Sequence, residues 1–185
     1  MKRALLFALL LAACKEDAVQ NTDPLPLTAE TTGYFCQMNL LEHEGPKGQV
    51  QLEGLPGAPL FFSQVSDTVA YLRLPEQSHV ILAIYVSDMG AAGATWAEPG
   101  AANWIDARTA HYVVGAAVEG GMGAPEVVPF ADLATAQAFA AARGGSVMDL
   151  NDIPDGALTA PVSTAPDGDD DYARRLKALS AKPEG

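Results

Sequence analysis

Positive charge is scarce in this chain. The sequence of 185 residues holds 11 lysines and arginines against 23 aspartates and glutamates, which gives a formal net charge of −12. A protein that binds nucleic acid needs a basic surface to meet the phosphates. The composition therefore excludes nucleic acid as a partner, and it equally disfavours electrostatic docking on anionic lipid.

Motifs for the common catalytic chemistries are also missing. The sequence contains no G-x-S-x-G, no phosphate-cradling glycine loop and no C-x-x-C. Its three histidines, His43, His79 and His111, show no pair at the spacing of zinc ligands. A Cys–His nucleophile would need an imidazole close to a thiol, and sequence spacing leaves His43 and His111 open for that role. On balance we expect a protein that is not an enzyme.

Long apolar runs are absent as well. Lys2 and Arg3 precede ten apolar residues at 4–13, too few to span a bilayer as a helix, which takes about 20 residues. A charged start followed by a short apolar stretch is typical of a signal peptide. Loss of Lys2 and Arg3 with this leader would take the net charge to −14.

The leader ends directly before Cys14, in a pattern typical of a bacterial lipoprotein cleavage site at residues 11–14. We therefore expect removal of residues 1–13, a lipid anchor on Cys14, and attachment to the membrane through that lipid only. Lys15 is not the aspartate associated with inner-membrane retention, which favours the periplasmic face of the outer membrane.

Cys36 is the second of only two cysteines. If Cys14 carries lipid, the Cys36 thiol has no disulfide partner in the chain. An exported protein nevertheless meets an oxidising compartment, which favours disulfides. It could be a buried small hydrophobe or a metal ligand. The glycine, glutamine and asparagine residues around it and the polar segment 42–46 favour a loop near the surface, and hence a metal.

Two methionines extend this thiol to a set of soft donors. Met38 is two residues from Cys36, so that the two side chains can share one face of a strand or converge in a turn. Met122 lies among glycines at 120–123, where a methionine that only fills a core is not expected. Thiolate and thioether sulfur favour Cu(I), so we predict a Cu(I) site of Cys36, Met38 and Met122. His43 is a possible auxiliary ligand, although an ordinary packed histidine is the favoured interpretation.

A weak internal repeat indicates the architecture. Residues 62–71 resemble residues 130–139, with an aromatic residue at each end of both copies. Each copy reads as the end of a strand followed by a helix, capped by Ser66 and Asp67 in the first and by Asp132 and Thr135 in the second. The predicted strands are residues 48–52, 59–62, 79–86, 110–118, 127–130 and 146–150.

These elements predict an α+β fold of two small β-β-α-β units packed together. The expected organisation is a signal peptide at 1–13, a lipidated tether at 14–30, a first unit at 31–89, a linker at 90–102, a second unit at 103–153 and a disordered acidic tail at 154–185 with a short helix.

Several stretches, taken together and in order, resemble the NosL family over roughly residues 34–153. They are the cleavage-site cysteine, residues 35–38, 43–49, 85–88, 104–107 and 122–123, 128–132, and 138–139 with the glycines at 144–145. The resemblance implies a periplasm-facing Cu(I) chaperone of the outer membrane that supports maturation of nitrous oxide reductase. The implied partners are that enzyme and its ABC-type assembly complex, and the implied fold is two β-β-α-β units related to part of organomercurial lyase.

Carried over residue by residue, the resemblance places Cys36 and Met38 on the family's C-x-M motif and Met122 on its later methionine. The residue between cysteine and methionine is commonly glycine in the family, whereas it is Gln37 here. Two other hypotheses stay open at this point: a thiol-dependent enzyme of organomercurial-lyase-like fold, and a structural lipoprotein with a buried Cys36.

Overall fold

The structure is a computed structural model that describes residues 19–158. The predicted signal peptide, the anchor at Cys14 and residues 159–185 of the predicted acidic tail lie outside the described residues. The strands are β1 Gly48–Leu52, β2 Leu60–Phe62, β3 Ile81–Ser87, β4 Trp104–Asp106, β5 His111–Val114, β6 Val128–Phe130 and β7 Ser146–Met148. The helices are α1 Val65–Leu72 and α2 Leu133–Arg143, with short 3-10 helices at Leu40–Glu42, Leu150–Asp152 and Asp155–Ala157. Within the described range, no helix is both long and apolar enough to cross a bilayer.

The two predicted β-β-α-β units are present and share one topology. The first sheet has the order β2-β1-β3-β4 and the second has the order β6-β5-β7, all antiparallel. In each unit the first strand is central, the second flanks it, and the strand after the helix pairs on the other side. The α+β fold class expected from the sequence is confirmed.

Strand β4 was not predicted. It pairs with β3, so that Tyr85 lies opposite Asp106 and Ser87 opposite Trp104. A strand of three residues is too short to show an alternating pattern, and this one follows an alanine- and glycine-rich segment that indicates no regular structure. The first sheet therefore takes a strand from beyond residue 103, where the second unit was expected to begin.

One core joins the two units. Its buried members come from α1 and the first sheet and also from the second unit. Tyr112 and Val114 of β5 are its members from the second sheet. The neighbouring residue Val113 points the opposite way, against α2, in a smaller cluster with Val128 and Phe130. Alternation along β5 thus divides its side chains between the shared core and α2. Neither unit could bury this surface alone.

The two helices begin differently. In α2 the predicted cap is confirmed, since Asp132 Oδ1 accepts a hydrogen bond of 2.8 Å from Thr135 N. In α1 the prediction of Ser66 and Asp67 is wrong: the helix begins earlier, at Val65, and its N-cap residue Gln64 makes no side-chain capping bond.

The described part of the predicted tether is attached to the fold. Gln49 of β1 exchanges two hydrogen bonds with Leu25, of 2.8 and 2.9 Å, and Gln51 Nε2 donates to Asp23 O at 3.2 Å. Both glutamines are buried. Residues 20–27 therefore cover the outer face of the first sheet, and the glutamines satisfy the backbone groups of this added layer.

Candidate metal site

Cys36 and Met38 lie in a tight turn, not in a strand. The turn is closed by hydrogen bonds from Gln37 N to Gly33 O at 2.9 Å and from Gly33 N to Met38 O at 3.0 Å. The Cys36 thiol is half-buried, and its sulfur lies so close to Gly33 that a Cβ there would collide with it. The Met38 side chain is 40% exposed. The turn therefore presents a sheltered thiol next to an open thioether.

Gln37 explains how the turn forms without glycine between the two sulfur residues. Its φ of +55° is in the left-handed region, and it is the one described residue other than glycine with a positive φ. Such a conformation costs about 1–2 kcal/mol for an L-residue. The side-chain amide offsets this cost, because Nε2 donates to Tyr34 O at 2.7 Å and to Gly33 O at 3.2 Å. The left-handed backbone between the two sulfur residues is thus supported by a side chain rather than by glycine.

An aromatic cluster supports the turn from below. Tyr34 and Phe35 place their ring centroids 5.9 and 5.4 Å from that of Phe62, which lies 5.3 Å from Tyr71 of α1. Tyr34 N also donates to Phe61 O at 2.7 Å, which fastens the turn to β2. Edge-to-face contacts of this kind stabilise a defined arrangement. The position of Cys36 therefore depends on the core of the first unit.

Met122 lies at the tip of a separate loop that connects β5 to β6. We call residues 119–125 the methionine loop. It is a small hairpin closed by Gly120 N to Ala124 O at 2.7 Å and Gly123 N to Gly120 O at 2.9 Å. The Met122 side chain is 43% exposed, and its backbone N donates to Gln64 Oε1 at 3.2 Å. Through Gln64 the loop of the second unit is held on the first.

Gly121 allows the methionine loop to approach the segment 43–47 closely. A Cβ at this position would lie 2.7 Å from His43 Cβ and 2.9 Å from Glu44 O. Gly121 O also accepts a hydrogen bond of 2.9 Å from His43 Nδ1. Glycine is needed here for space rather than for a left-handed backbone, since its φ is not positive.

His43 has an unused nitrogen beside this loop. A carbonyl oxygen can only accept, so Nδ1 must carry the proton in its bond to Gly121 O. In the neutral ring Nε2 then has a free lone pair. Nε2 is buried and has no hydrogen-bond partner within residues 19–158. The only sequence signal for this was the position of His43 in the polar segment near Cys36 and Met38, and the ordinary interpretation was favoured there.

Lys47 places a positive charge beneath the site, which was not foreseen from the sequence. The side chain is 1% exposed, and its Nζ donates to Gly45 O at 2.6 Å and to Glu44 O at 2.9 Å. Burial lowers the pKa of Lys47 to about 8, while the negative charges of Glu126, Glu44 and the Cys36 thiolate act against that shift.

Segment 43–47 interacts both with the methionine loop and with Cys36. The methionine loop contacts segment 43–47 through Gly121, and Cys36 interacts electrostatically with Lys47 of the same segment. Met89 and Met148 lie elsewhere, packed against the smaller and the shared core respectively. No group of three or more His, Cys, Asp or Glu side chains in the described part of the chain could hold a metal ion.

The remaining histidines do not join the site. His111 Nδ1 lies 3.7 Å from Asp149 Oδ1, in a separate cavity of about 630 Å³ whose walls include Leu72 and Arg108. His79 is exposed. The imidazole of His43 uses its Nδ1 proton on Gly121 O. Within residues 19–158, no hydrogen bond joins the Cys36 thiol to an imidazole.

The described residues form an α+β fold with one thiol and two open thioethers on its loops, and such sulfur donors favour a soft metal ion. Comparison with known proteins identifies the family of this chain. The sequence pattern of the NosL family matches residues 24–158. The chain belongs to the NosL family.

Its relatives cover most of its length. The copper-binding lipoprotein NosL of Achromobacter cycloclastes is 58% identical over 92% of this chain and 89% of its own length. That of Stutzerimonas stutzeri is 31% identical over 92% and 87%. The crystal structure of the copper chaperone NosL from Shewanella denitrificans matches with a TM-score of 0.66 at 28% identity, over 72% of this chain and 96% of that chain. These names describe proteins that bind or carry copper, which supports the expectation that the chain is not an enzyme.

Proposed function

We propose that this protein is a lipid-anchored copper carrier that holds Cu(I) with the Cys36 thiolate and the thioethers of Met38 and Met122. One observation carries the proposal: Cys36 and the exposed Met38 share one turn of the first unit, and the exposed Met122 lies on a loop of the second unit. That loop contacts segment 43–47, with which Cys36 also interacts electrostatically. One anionic and two neutral sulfur donors form a set that Cu(I) favours over harder ions. The relatives described as copper-binding lipoproteins and as a copper chaperone support the identity of the metal.

The exposure of the thioethers suits transfer. Met38 and Met122 are 40% and 43% exposed, so an incoming ligand of a partner can reach the metal without unfolding the protein. Thioethers are neutral and adaptable ligands that can be replaced one at a time. The anionic Cys36 is sheltered and would be released last. The chain itself carries out no covalent chemistry in this process.

The destination is the copper-sulfide centre of nitrous oxide reductase, reached with the ABC-type complex of its assembly pathway. The protein would act at the periplasmic face of the outer membrane, anchored through Cys14. The relatives described as lipoproteins support the lipid anchor, whereas the destination rests on the family resemblance of the sequence. The net charge of −12 is compatible with an anchor that depends on lipid rather than on attraction to anionic headgroups.

His43 offers a nitrogen that could complete the set. Its buried Nε2 has no hydrogen-bond partner in the described residues, and a lone pair left without a partner costs free energy unless a ligand or a water molecule takes it. X-ray absorption at the copper edge counts sulfur and nitrogen neighbours directly. Loss of the nitrogen shell in His43→Phe would identify His43 as a ligand in addition to the three sulfur residues. An unchanged shell would mean that His43 does not bind the metal.

Competition with a chromophoric Cu(I) chelator tests the site in the lipid-free protein. Loss of the anionic ligand in Cys36→Ser should weaken binding by at least about 100-fold, and Met38→Ala or Met122→Ala by about tenfold each. Met89→Leu is the matched control, because this methionine packs against the smaller core cluster. If Cys36→Ser and Met38→Ala bind Cu(I) as tightly as the wild type, the proposed site is wrong.

A further inference from the structure

Glu126 is a buried acid that the copper site does not use directly. It lies between the methionine loop and β6, and its side chain is 2% exposed. Burial raises the pKa of its carboxyl to about 8, against the effect of three backbone hydrogen bonds. Burying a carboxyl group costs free energy, so its presence here needs a structural reason.

The carboxyl of Glu126 caps the helix of the other unit. Oε1 accepts hydrogen bonds from Ser66 N at 3.0 Å and from Val127 N at 2.8 Å, and Oε2 accepts from Val65 N at 3.3 Å. Val65 and Ser66 open α1, where backbone N–H groups have no partner within the helix. The second unit therefore supplies the cap that Gln64 does not provide.

Gln64 is free to bind the methionine loop for this reason. Its Oε1 accepts from Met122 N at 3.2 Å instead of capping α1. The loop also rests directly on both side chains: a Cβ at Gly120 would lie 2.6 Å from Glu126 Oε2 and 2.7 Å from Gln64 Oε1. The start of α1, the carboxyl of Glu126 and the backbone of the methionine loop thus form one contiguous contact.

We propose that Glu126 is a positioning residue that sets the place of Met122 relative to the Cys36–Met38 turn, by fixing the methionine loop on the first turn of α1. The inference rests on the proposed function. Glu126 acts on the metal only through the backbone of the loop, and its neighbour Gly120 is required for the loop to approach the carboxyl.

A double-mutant cycle separates this role from general stability. Glu126→Gln should weaken Cu(I) binding by about tenfold in the wild-type background, because an amide group then faces the N–H groups of α1 or the loop. In the Met122→Ala background the same substitution should change the affinity by less than about twofold, since its effect passes through Met122. X-ray absorption should show one sulfur neighbour fewer in Glu126→Gln.

Three further variants keep the cycle decisive if Glu126→Gln folds poorly. Gly120→Ala pushes the loop off the same carboxyl and should weaken binding only when Met122 is present. Gly156→Ala, where a Cβ meets nothing within 4 Å, is its control. Asp132→Ala removes the equivalent cap from α2, which lies within the second unit, and should leave the affinity unchanged.

Equal losses in the wild-type and Met122→Ala backgrounds, or no loss with Met122 present, would overturn the positioning role. The proposed function fails in a different way, which the same titrations reveal: the wild type would bind no Cu(I), or Met122→Ala would bind as tightly as the wild type. In that case both proposals fall.

Discussion

The two units share one strand order but differ in how they are completed. In the second unit Asp132 caps α2 locally, through Thr135 N at 2.8 Å. In the first, α1 is capped by Glu126, which belongs to the other unit. The connections between the first two strands also differ. Residues 53–59 form a short exposed turn in the first unit, whereas residues 115–127 form a longer connection that reaches across to the first unit.

This difference separates the repeated part of the fold from the segments that carry the proposed site. The topology repeats because both units bury a sheet and a helix in the same way. The proposed metal site uses what does not repeat: the turn that precedes β1 and the long connection before β6. A site built from both units at their junction can be held by a shared core and still open at its edge.

The largest expected effect compares the aromatic cores of the two units. Phe62→Ala removes a fully buried ring and should lower the free energy of unfolding by about 3–5 kcal/mol. Phe130→Ala, at the corresponding position of the repeat and with its ring centroid 5.2 Å from that of Phe139, should cost a similar amount. Denaturant titrations at constant pH measure both. Of the two substitutions, Phe62→Ala alone should also weaken Cu(I) binding, because Phe62 rather than Phe130 contacts Tyr34 and Phe35.

Chelator competition at a temperature where both variants stay folded provides the control for this prediction. Equal weakening of Cu(I) binding by the two substitutions would show that the site follows overall stability and not the local aromatic support.

The next effect concerns pH and the contrast between the two caps. The pKa of Glu126 is raised from 4.5 to about 8, so between these values the folded state holds a proton that the unfolded state has released. Stability should therefore fall as the pH rises from 4.5 to 8, by at most about 1.4 kcal/mol per pH unit. Between pH 8 and 10.5 stability should rise again, because the pKa of Lys47 is lowered from 10.5 to about 8 in the folded state. Over this range Lys47 is protonated in the unfolded state and has lost its proton in the folded state.

Urea unfolding across pH 5 to 8 checks the contribution of Glu126. Glu126→Gln should flatten this part of the profile. Asp132→Asn should not, since hydrogen bonds from Thr135 lower the pKa of Asp132 and move its titration to more acidic pH. A wild-type profile that rises over this window, or one that Glu126→Gln leaves unchanged, would contradict the assignment.

The sequence allowed the regular parts of this molecule to be predicted. The predicted strands at residues 48–52 and 79–86 and the cap at Asp132 rest on local signals, and so does the repeat that indicated two units. The three sulfur residues were also visible, because methionine among glycines and a lone thiol are unusual for a core. Strand β4 was missed because three residues show no period.

The support of the site could not be predicted in the same way. Glu126 meets Val65 and Ser66 across about 60 residues of chain, and no local pattern specifies such a contact. The partnerless Nε2 of His43 depends on which carbonyl its Nδ1 meets, which only the packing of Gly121 decides. Side chains that act between the units are therefore the part that needed the structure.

A smaller effect is expected at the residue that separates Cys36 and Met38. Gln37→Ala keeps the left-handed backbone and loses the bonds to Gly33 O and Tyr34 O, so it should destabilise the protein by about 1 kcal/mol. Gln37→Gly loses the same bonds but removes the backbone strain, so it should be the more stable of the two variants. Thermal unfolding ranks them. An alanine variant as stable as the glycine variant would mean that the left-handed conformation at this position carries no cost.

The smallest effect tests how the end of the second unit is fastened to the first. Arg73, which follows α1, pairs with Asp155 at 2.6 Å and donates to Leu150 O at 3.2 Å, but the Asp155 side chain is largely exposed. Exposed pairs contribute about 0–1 kcal/mol, and salt weakens them further. Asp155→Asn should therefore change the free energy of unfolding by less than about 1 kcal/mol. It should leave Cu(I) binding unchanged, because the shared core holds the units together. A larger loss, measured by urea titration at low and high salt, would mean that the surface pair and not the buried contact fixes the junction at which the metal site forms.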